Sequence, residues 1–124
     1  GKLKPHEVAR LYRHSDIIVD MSYWHGFGRM GLEGMACGVV PVLSSSGGIE
    51  RYAVDGKNSY IIAGSDPQQA ADRIIRLAKN PELRWQMRRE AIETAGAYSE
   101  ANSVDDWLAL WHGSAVREQI KVVG

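Results

Sequence analysis

Between Asp16 and Gly38 the chain reads Asp-Ile-Ile-Val-Asp-Met-Ser-Tyr-Trp-His-Gly-Phe-Gly-Arg-Met-Gly-Leu-Glu-Gly-Met-Ala-Cys-Gly, and no other stretch constrains the fold as tightly. Ile17-Ile18-Val19 predicts a short apolar strand, Gly26, Gly28 and Gly31 predict a loop, and a short helix follows near Met30–Cys37, stopped by Gly38. A strand, a glycine loop and a helix in that order set bare backbone N–H groups and a positive helix end before an anion. Glycines let such a backbone approach the anion with no Cβ in the way. Glu33 falls about one turn inside the helix. From that depth a carboxylate does not face phosphate, but it can accept hydrogen bonds from sugar hydroxyls. The pattern points to a nucleotide-sugar site.

The flanking segments supply the rest of an α/β chain. Pro5 to His14 reads as a helix with Pro5 in its first turn and Val8, Leu11 and Tyr12 on one face. Strand Ile17–Val19 shows no polar alternation, which suits burial on both faces as in a parallel sheet. Val39-Val40-Pro41-Val42-Leu43 predicts a second buried strand, and Ser44 to Gly48 the loop at its carboxyl end. A short helix from Ile49 to Val54, closed by Asp55-Gly56, leads to a third strand at Tyr60-Ile61-Ile62.

Helices then take over. Asp66-Pro67 starts one whose stripe is Ala70, Ala71, Ile74, Leu77 and Ala78. Asn80-Pro81 ends it and caps the next, which runs to about Ala97. Ser103 caps a last helix with Val104, Trp107, Leu108 and Trp111 on one stripe, which docks either on the domain's own core or on a partner. The predicted class is α/β: a Rossmann-like, partial doubly wound parallel sheet of three strands with flanking helices. Three strands are few for that class and the chain begins directly in a helix, so residues 1–124 are expected to be a piece of a larger protein.

Composition narrows the partners. With 124 residues the chain is one domain, and fifteen basic against fifteen acidic residues leave no net charge. Such a balance offers no footprint for nucleic acid or an anionic membrane. Cys37 is the single cysteine, so no internal disulfide forms; it reads as a small core residue against the alternative of a reactive thiol. No apolar run approaches the length of a membrane span, and a cytoplasmic location is the default expectation.

Gly26-x-Gly28-x-x-Gly31 also matches the dinucleotide fingerprint formally. That fingerprint needs a full crossover helix and an acidic residue about twenty positions on, ending the next strand. Here the helix is barely two turns and the second strand runs into Ser44-Ser45-Ser46, with Glu50 the first acid available. A Walker-type loop is excluded because no Lys-Ser or Lys-Thr follows the glycines. Tight turns alone do not call for a second loop at Gly47-Gly48, and ligands of open α/β sheets bind outside the strands' carboxyl ends, where both loops fall.

At these residues the chain resembles the carboxyl-terminal domain of the group 1 glycosyltransferases (family 4, GT-B fold). That family runs from a strand ending in Pro-Ser through Glu-Gly-Phe-Gly and Glu-Ala-Met-Ala-Cys-Gly to Pro-Val and Gly-Gly-x-x-Glu. This chain has Ser22, Gly26-Phe27-Gly28, Leu32-Glu33-Gly34-Met35-Ala36-Cys37-Gly38, Pro41-Val42 and Gly47-Gly48-Ile49-Glu50, then Asp55-Gly56-Lys57-Asn58-Ser59 and Asn80-Pro81-Glu82-Leu83. The likeness spans Pro5 to Ser99. It implies that Glu33 binds the donor's ribose hydroxyls, that Gly28, Arg29 and Met30 face the diphosphate, and that Gly26 and Phe27 line the donor sugar. It further implies a metal-independent, retaining hexosyl- or deoxyhexosyltransferase that needs no cofactor beyond its nucleoside-diphosphate-sugar donor. The chain holds no Asp-x-Asp metal motif.

Three positions depart from the pattern. His25 stands where the family has its first glutamate, near the donor sugar, and counts with Glu33 as a candidate catalytic residue. A histidine there leaves open a changed sugar preference, a weak or inactive site, or a neutral swap. Met21 replaces a proline and Gly34 an alanine, both as packing changes. The family's basic diphosphate clamp and acceptor domain lie upstream of such a segment. The expected function is therefore the donor-binding part of a transferase acting on a glycan, lipid or other acceptor, inactive alone. The alternative is a non-catalytic module with weak nucleotide-sugar binding or an assembly role, and bare sheet edges suggest pairing between copies.

Overall fold

A computed structural model describes residues 2–100. Helix α1 covers Pro5–Arg13, strand β1 Ile17–Asp20, helix α2 Arg29–Ala36 and strand β2 Val40–Ser44. A 3-10 turn at Gly47–Arg51, strand β3 at Tyr60–Ile62, a second 3-10 turn at Ala63–Ser65 and helices α3 (Pro67–Lys79) and α4 (Pro81–Glu100) complete the order. The three strands form one parallel sheet in the order β1-β2-β3, with Asp20 opposite Leu43 and Ser44 opposite Ile62. This is the α/β architecture expected. The segment read as a helix around Trp107 and Trp111 lies outside the described residues.

The central strand divides the core. Leu43 faces one side with Leu32, Met35, Ile49, Tyr52, Ala91 and Ala95. Val40 and Val42 face the other with Tyr60, Ile62, Leu77 and Met87. Every residue of β2 is buried, as the unbroken apolar run predicts for a strand with neighbours and helices on all sides. β1 departs from the same expectation: it is an edge strand here, and Val19 is 43% exposed.

Local signals explain the helix ends. Pro5 begins α1, and the Lys4 N–H donates to Glu7 Oε2 at 2.6 Å. The buried face of α1 is Ala9 and Tyr12, whereas Leu11, expected on that face, is 55% exposed. Asp66 caps α3 by accepting from the Gln68 N–H at 3.0 Å. Asn80 closes α3 through its side chain, which donates to the Arg76 carbonyl at 2.7 Å, and its own carbonyl accepts the Arg84 N–H.

The segment expected as a helix from Ile49 to Val54 is a 3-10 turn beginning two residues earlier, because Gly47 adopts φ +67° and starts the turn itself. The Asp55–Ser59 turn beyond it is tied down by Asn58, which is 2% exposed. Asn58 accepts from the Val54 N–H at 2.8 Å and donates to the Tyr52 carbonyl and to Thr94 of α4 at 2.8 and 2.9 Å. Those bonds fix α4 against the turn that follows the glycine loops.

Candidate functional site

Both glycine loops lie at the carboxyl ends of the parallel strands, the first after β1 and the second after β2. They pack backbone on backbone. The Gly48 N–H donates to the carbonyls of His25 (3.1 Å) and Gly26 (2.9 Å). A Cβ on Gly47 would stand 1.6 Å from the His25 carbonyl oxygen, and one on Gly48 would stand 2.3 Å from that of Gly26. Glycine at 47 and 48 is thus required by the contact between loops.

Gly28 and Gly31 seat the start of α2. Gly28 is its N-cap in a left-handed conformation (φ +78°), with no side chain to bond the first amides. A Cβ there would meet Ile49 Cγ2 at 2.5 Å and the Tyr52 hydroxyl at 2.6 Å. Tyr52, 3% exposed, donates its hydroxyl proton to the Gly28 carbonyl. A Cβ on Gly31 would lie 2.7 Å from the same hydroxyl. Gly26 differs from all of these: nothing lies within 4 Å of where its Cβ would be. Space is left open at Gly26, beside a helix start whose dipole and first amides favour an anion. Arg29 and Met30 are exposed on the first turn of α2.

Glu33, one turn further in, is 8% exposed, and Tyr12 of α1 donates its phenolic proton to Glu33 Oε2 at 3.3 Å. Burial pushes the Glu33 carboxyl up to about 7, partly offset by the Tyr12 hydrogen bond and the Arg29 charge. Its immediate polar surroundings therefore come from α1 and from the first turn of α2.

His25 and Phe27 point inward. The His25 ring is buried, with Nε2 at 2.9 Å from Ser44 Oγ and Nδ1 at 3.4 Å from Asp20 Oδ2. Phe27 joins an aromatic trio in tilted and edge-to-face contacts, its centroid 5.8 Å from Tyr52 and 6.0 Å from Tyr98. At both positions the backbone is what remains for a ligand. Sequence reading singled out neither Asp20 and Ser44, which hold His25, nor Tyr12 and Tyr52, which hold Glu33 and Gly28. The one local signal was a carboxylate at Asp20 ending an otherwise apolar strand.

Cys37, half-buried at the end of α2, has its thiol pushed up to about 11 by burial, as befits a packing residue. Among the described residues no three His, Cys, Asp or Glu side chains gather as a metal site would require.

Residues 1–94 match the family model of the glycosyl transferases group 1. The chain belongs to that family. The group 1 domain is 33% identical over 93 residues to a D-inositol 3-phosphate glycosyltransferase of Frankia alni, covering 75% of this chain and 23% of that protein. The enzyme of the same name from Stackebrandtia nassauensis is 29% identical over 120 residues, covering 94% and 27%. The group 1 domain thus spans about a quarter of the length of these relatives.

Among solved structures, the C-terminal domain of the group 1 glycosyl transferase LpcC from Francisella tularensis superposes with a TM-score of 0.72 at 28% identity, covering 78% of this chain and 50% of that one. The sucrose-phosphate synthase of Thermosynechococcus elongatus (TM-score 0.71, 24% identity, 94% and 28% covered) shares the fold. So does Anabaena HepE, solved in complex with UDP (TM-score 0.68, 20% identity, 90% and 28% covered). The three-stranded parallel sheet and flanking helices of this chain match part of the fold of these neighbours, which are GT-B glycosyltransferases.

Proposed function

We propose that this chain is the donor-binding domain of a family 4 type glycosyltransferase that moves a hexosyl or deoxyhexosyl group from a nucleoside-diphosphate sugar to a glycan, lipid or other acceptor. The observation that carries the reading is the open space at Gly26 next to the uncapped start of α2 at Gly28. Bare amides and a helix end there favour a diphosphate. The UDP bound by HepE, a protein of the same fold, supports a nucleoside diphosphate as the ligand.

In this reading the amides of Gly28, Arg29 and Met30 hold the diphosphate and the Arg29 side chain adds positive charge. Backbone at Gly26 and Phe27 meets the donor sugar, and the Glu33 carboxylate accepts from ribose hydroxyls. Catalysis consists of orienting the sugar and stabilising the departing diphosphate, by fixed dipoles and basic groups in place of a metal. Retention of configuration belongs to the proposal, as does a cytoplasmic site of action.

Calorimetric titration with UDP, GDP and TDP and their sugars tests the reading. Binding that Glu33→Ala abolishes supports it, whereas no binding to any of them favours the second reading, a non-catalytic module. The inward-turned His25 ring, at the position where the family keeps a glutamate, is the observation on that side.

A further inference from the structure

Four residues at the ends of β1 and β2 close a ring of polar contacts. Asp20 Oδ1 accepts from the Ser22 N–H at 3.1 Å and from the Ser22 hydroxyl. The Ser22 carbonyl accepts from the Ser44 hydroxyl. Having spent its proton there, Ser44 Oγ accepts from His25 Nε2 at 2.9 Å. His25 Nδ1 then faces Asp20 Oδ2 at 3.4 Å, a contact that closes the circuit as an ion pair when the imidazole carries both protons. Asp20, His25 and Ser44 are all buried.

The ring straddles a turn whose middle residues point away from it. Tyr23 and Trp24 are 94% and 74% exposed, so neither of their side chains anchors this backbone, and Met21 alone of the turn's apolar residues packs on the core. The polar hold comes from one carboxylate that gathers the turn, plus a hydroxyl from the neighbouring strand. The backbone that leaves the ring is that of His25 and Gly26, whose carbonyls take the Gly48 N–H.

We propose that Asp20 is a positioning residue for donor binding: through His25 and Ser44 it sets where the backbone of residues 25–28 stands relative to the donor. The proposal rests on the donor-site reading above. A preorganised backbone site loses affinity when its support loosens, because the ligand must then order the loop itself. His25 on this account is a positioning residue too, acting through the loop and not through contact with the sugar.

The test uses the full chain with Asp20→Asn, Asp20→Ala and Ser44→Ala, titrated with UDP, GDP and TDP. Amide hydrogen exchange at residues 22–28 and the melting temperature are read alongside. Asp20→Ala is expected to weaken nucleoside-diphosphate binding about tenfold, the equivalent of one lost charge-assisted hydrogen bond, and to speed exchange at 22–28 while β2 and α4 stay protected. Asp20→Asn, which still accepts from Ser22, should fall between Asp20→Ala and the parent. Ser44→Ala opens the same ring without removing a charge, so it serves if the Asp20 variants fail to fold.

Weaker binding with unchanged loop exchange overturns the proposal. So does a lower melting temperature with unchanged affinity and loop exchange. If the parent chain binds none of UDP, GDP and TDP, the donor reading fails. The ring is then judged on exchange alone: faster exchange at 22–28 retains its hold on the loop, and unchanged exchange removes it.

Discussion

The phenol of Tyr12 reaches across from α1 to donate to the carboxylate of Glu33 at 3.3 Å, and both residues are buried. The pair links the helix that precedes β1 to the carboxylate that the family likeness assigns to the donor's ribose. It also leaves Glu33 with too little water to carry its charge cheaply.

A pH dependence of stability follows. Burial pushes the Glu33 carboxyl up to about 7 in the fold against 4.5 for a glutamate in water, so between these values the folded chain holds a proton that the unfolded chain has lost. Stability from this group is full below pH 4.5 and is lost as pH rises through 7, by about 3 kcal/mol in total. Urea denaturation between pH 4.5 and 8 should show the decline, and Glu33→Gln should flatten it. A Glu33→Gln chain as pH-sensitive as the parent would contradict the assignment.

Tyr12→Phe removes the donor that stabilises the ionised carboxylate, so it should push the Glu33 carboxyl higher still. Expected is a loss of about 1–2 kcal/mol at pH 8 and much less at pH 4.5. Carboxyl carbon-13 titration of the variant checks the direction directly.

The glycines divide into two groups with opposite outcomes. Gly48→Ala drives a methyl group to 2.3 Å from the Gly26 carbonyl oxygen, a backbone atom, and should cost about 2–4 kcal/mol or displace the first loop. Gly26→Ala meets nothing within 4 Å and should change stability by less than about 0.5 kcal/mol while weakening binding of the nucleotide sugar more than that of UDP alone. Thermal melts and titrations with UDP and its sugar on the two variants separate folding from binding.

Asn58→Ala empties a buried hub and strands the Val54 N–H and the Tyr52 carbonyl. A cost of about 3 kcal/mol is expected, with faster amide exchange where α4 meets the Asp55–Ser59 turn.

Much of this was legible in the sequence, for local reasons. The apolar run before Ser44, the Asp66-Pro67 start and the glycine that ends α2 each act within a few residues, and the matching elements form where those signals stand. The backbone of the candidate site was legible for the same reason, since Gly26, Gly28 and Gly31 lie close together in the chain.

Its supports were not. Ser44 reaches Ser22 and His25 only because β1 and β2 pair in parallel with Asp20 beside Leu43, and no local spacing announces that register. The buried face of α1 turned on the same kind of information. Tyr12 is buried as its spacing predicts and meets a carboxylate twenty-one positions away, whereas Leu11, expected beside it, stays outside. The contacts of Phe27 with Tyr52 and Tyr98 were not legible either, because Tyr52 follows the second glycine loop and Tyr98 stands on α4.

The most direct measurement is a nucleoside-diphosphate titration of the nitrogen-15-labelled chain, followed at the backbone amides. With UDP, GDP or TDP the largest shifts should fall on Gly28, Arg29 and Met30, and Glu33→Ala should abolish saturation. Saturable binding whose shifts gather elsewhere, or no binding by any of the three at millimolar concentration, would contradict a donor site at this loop.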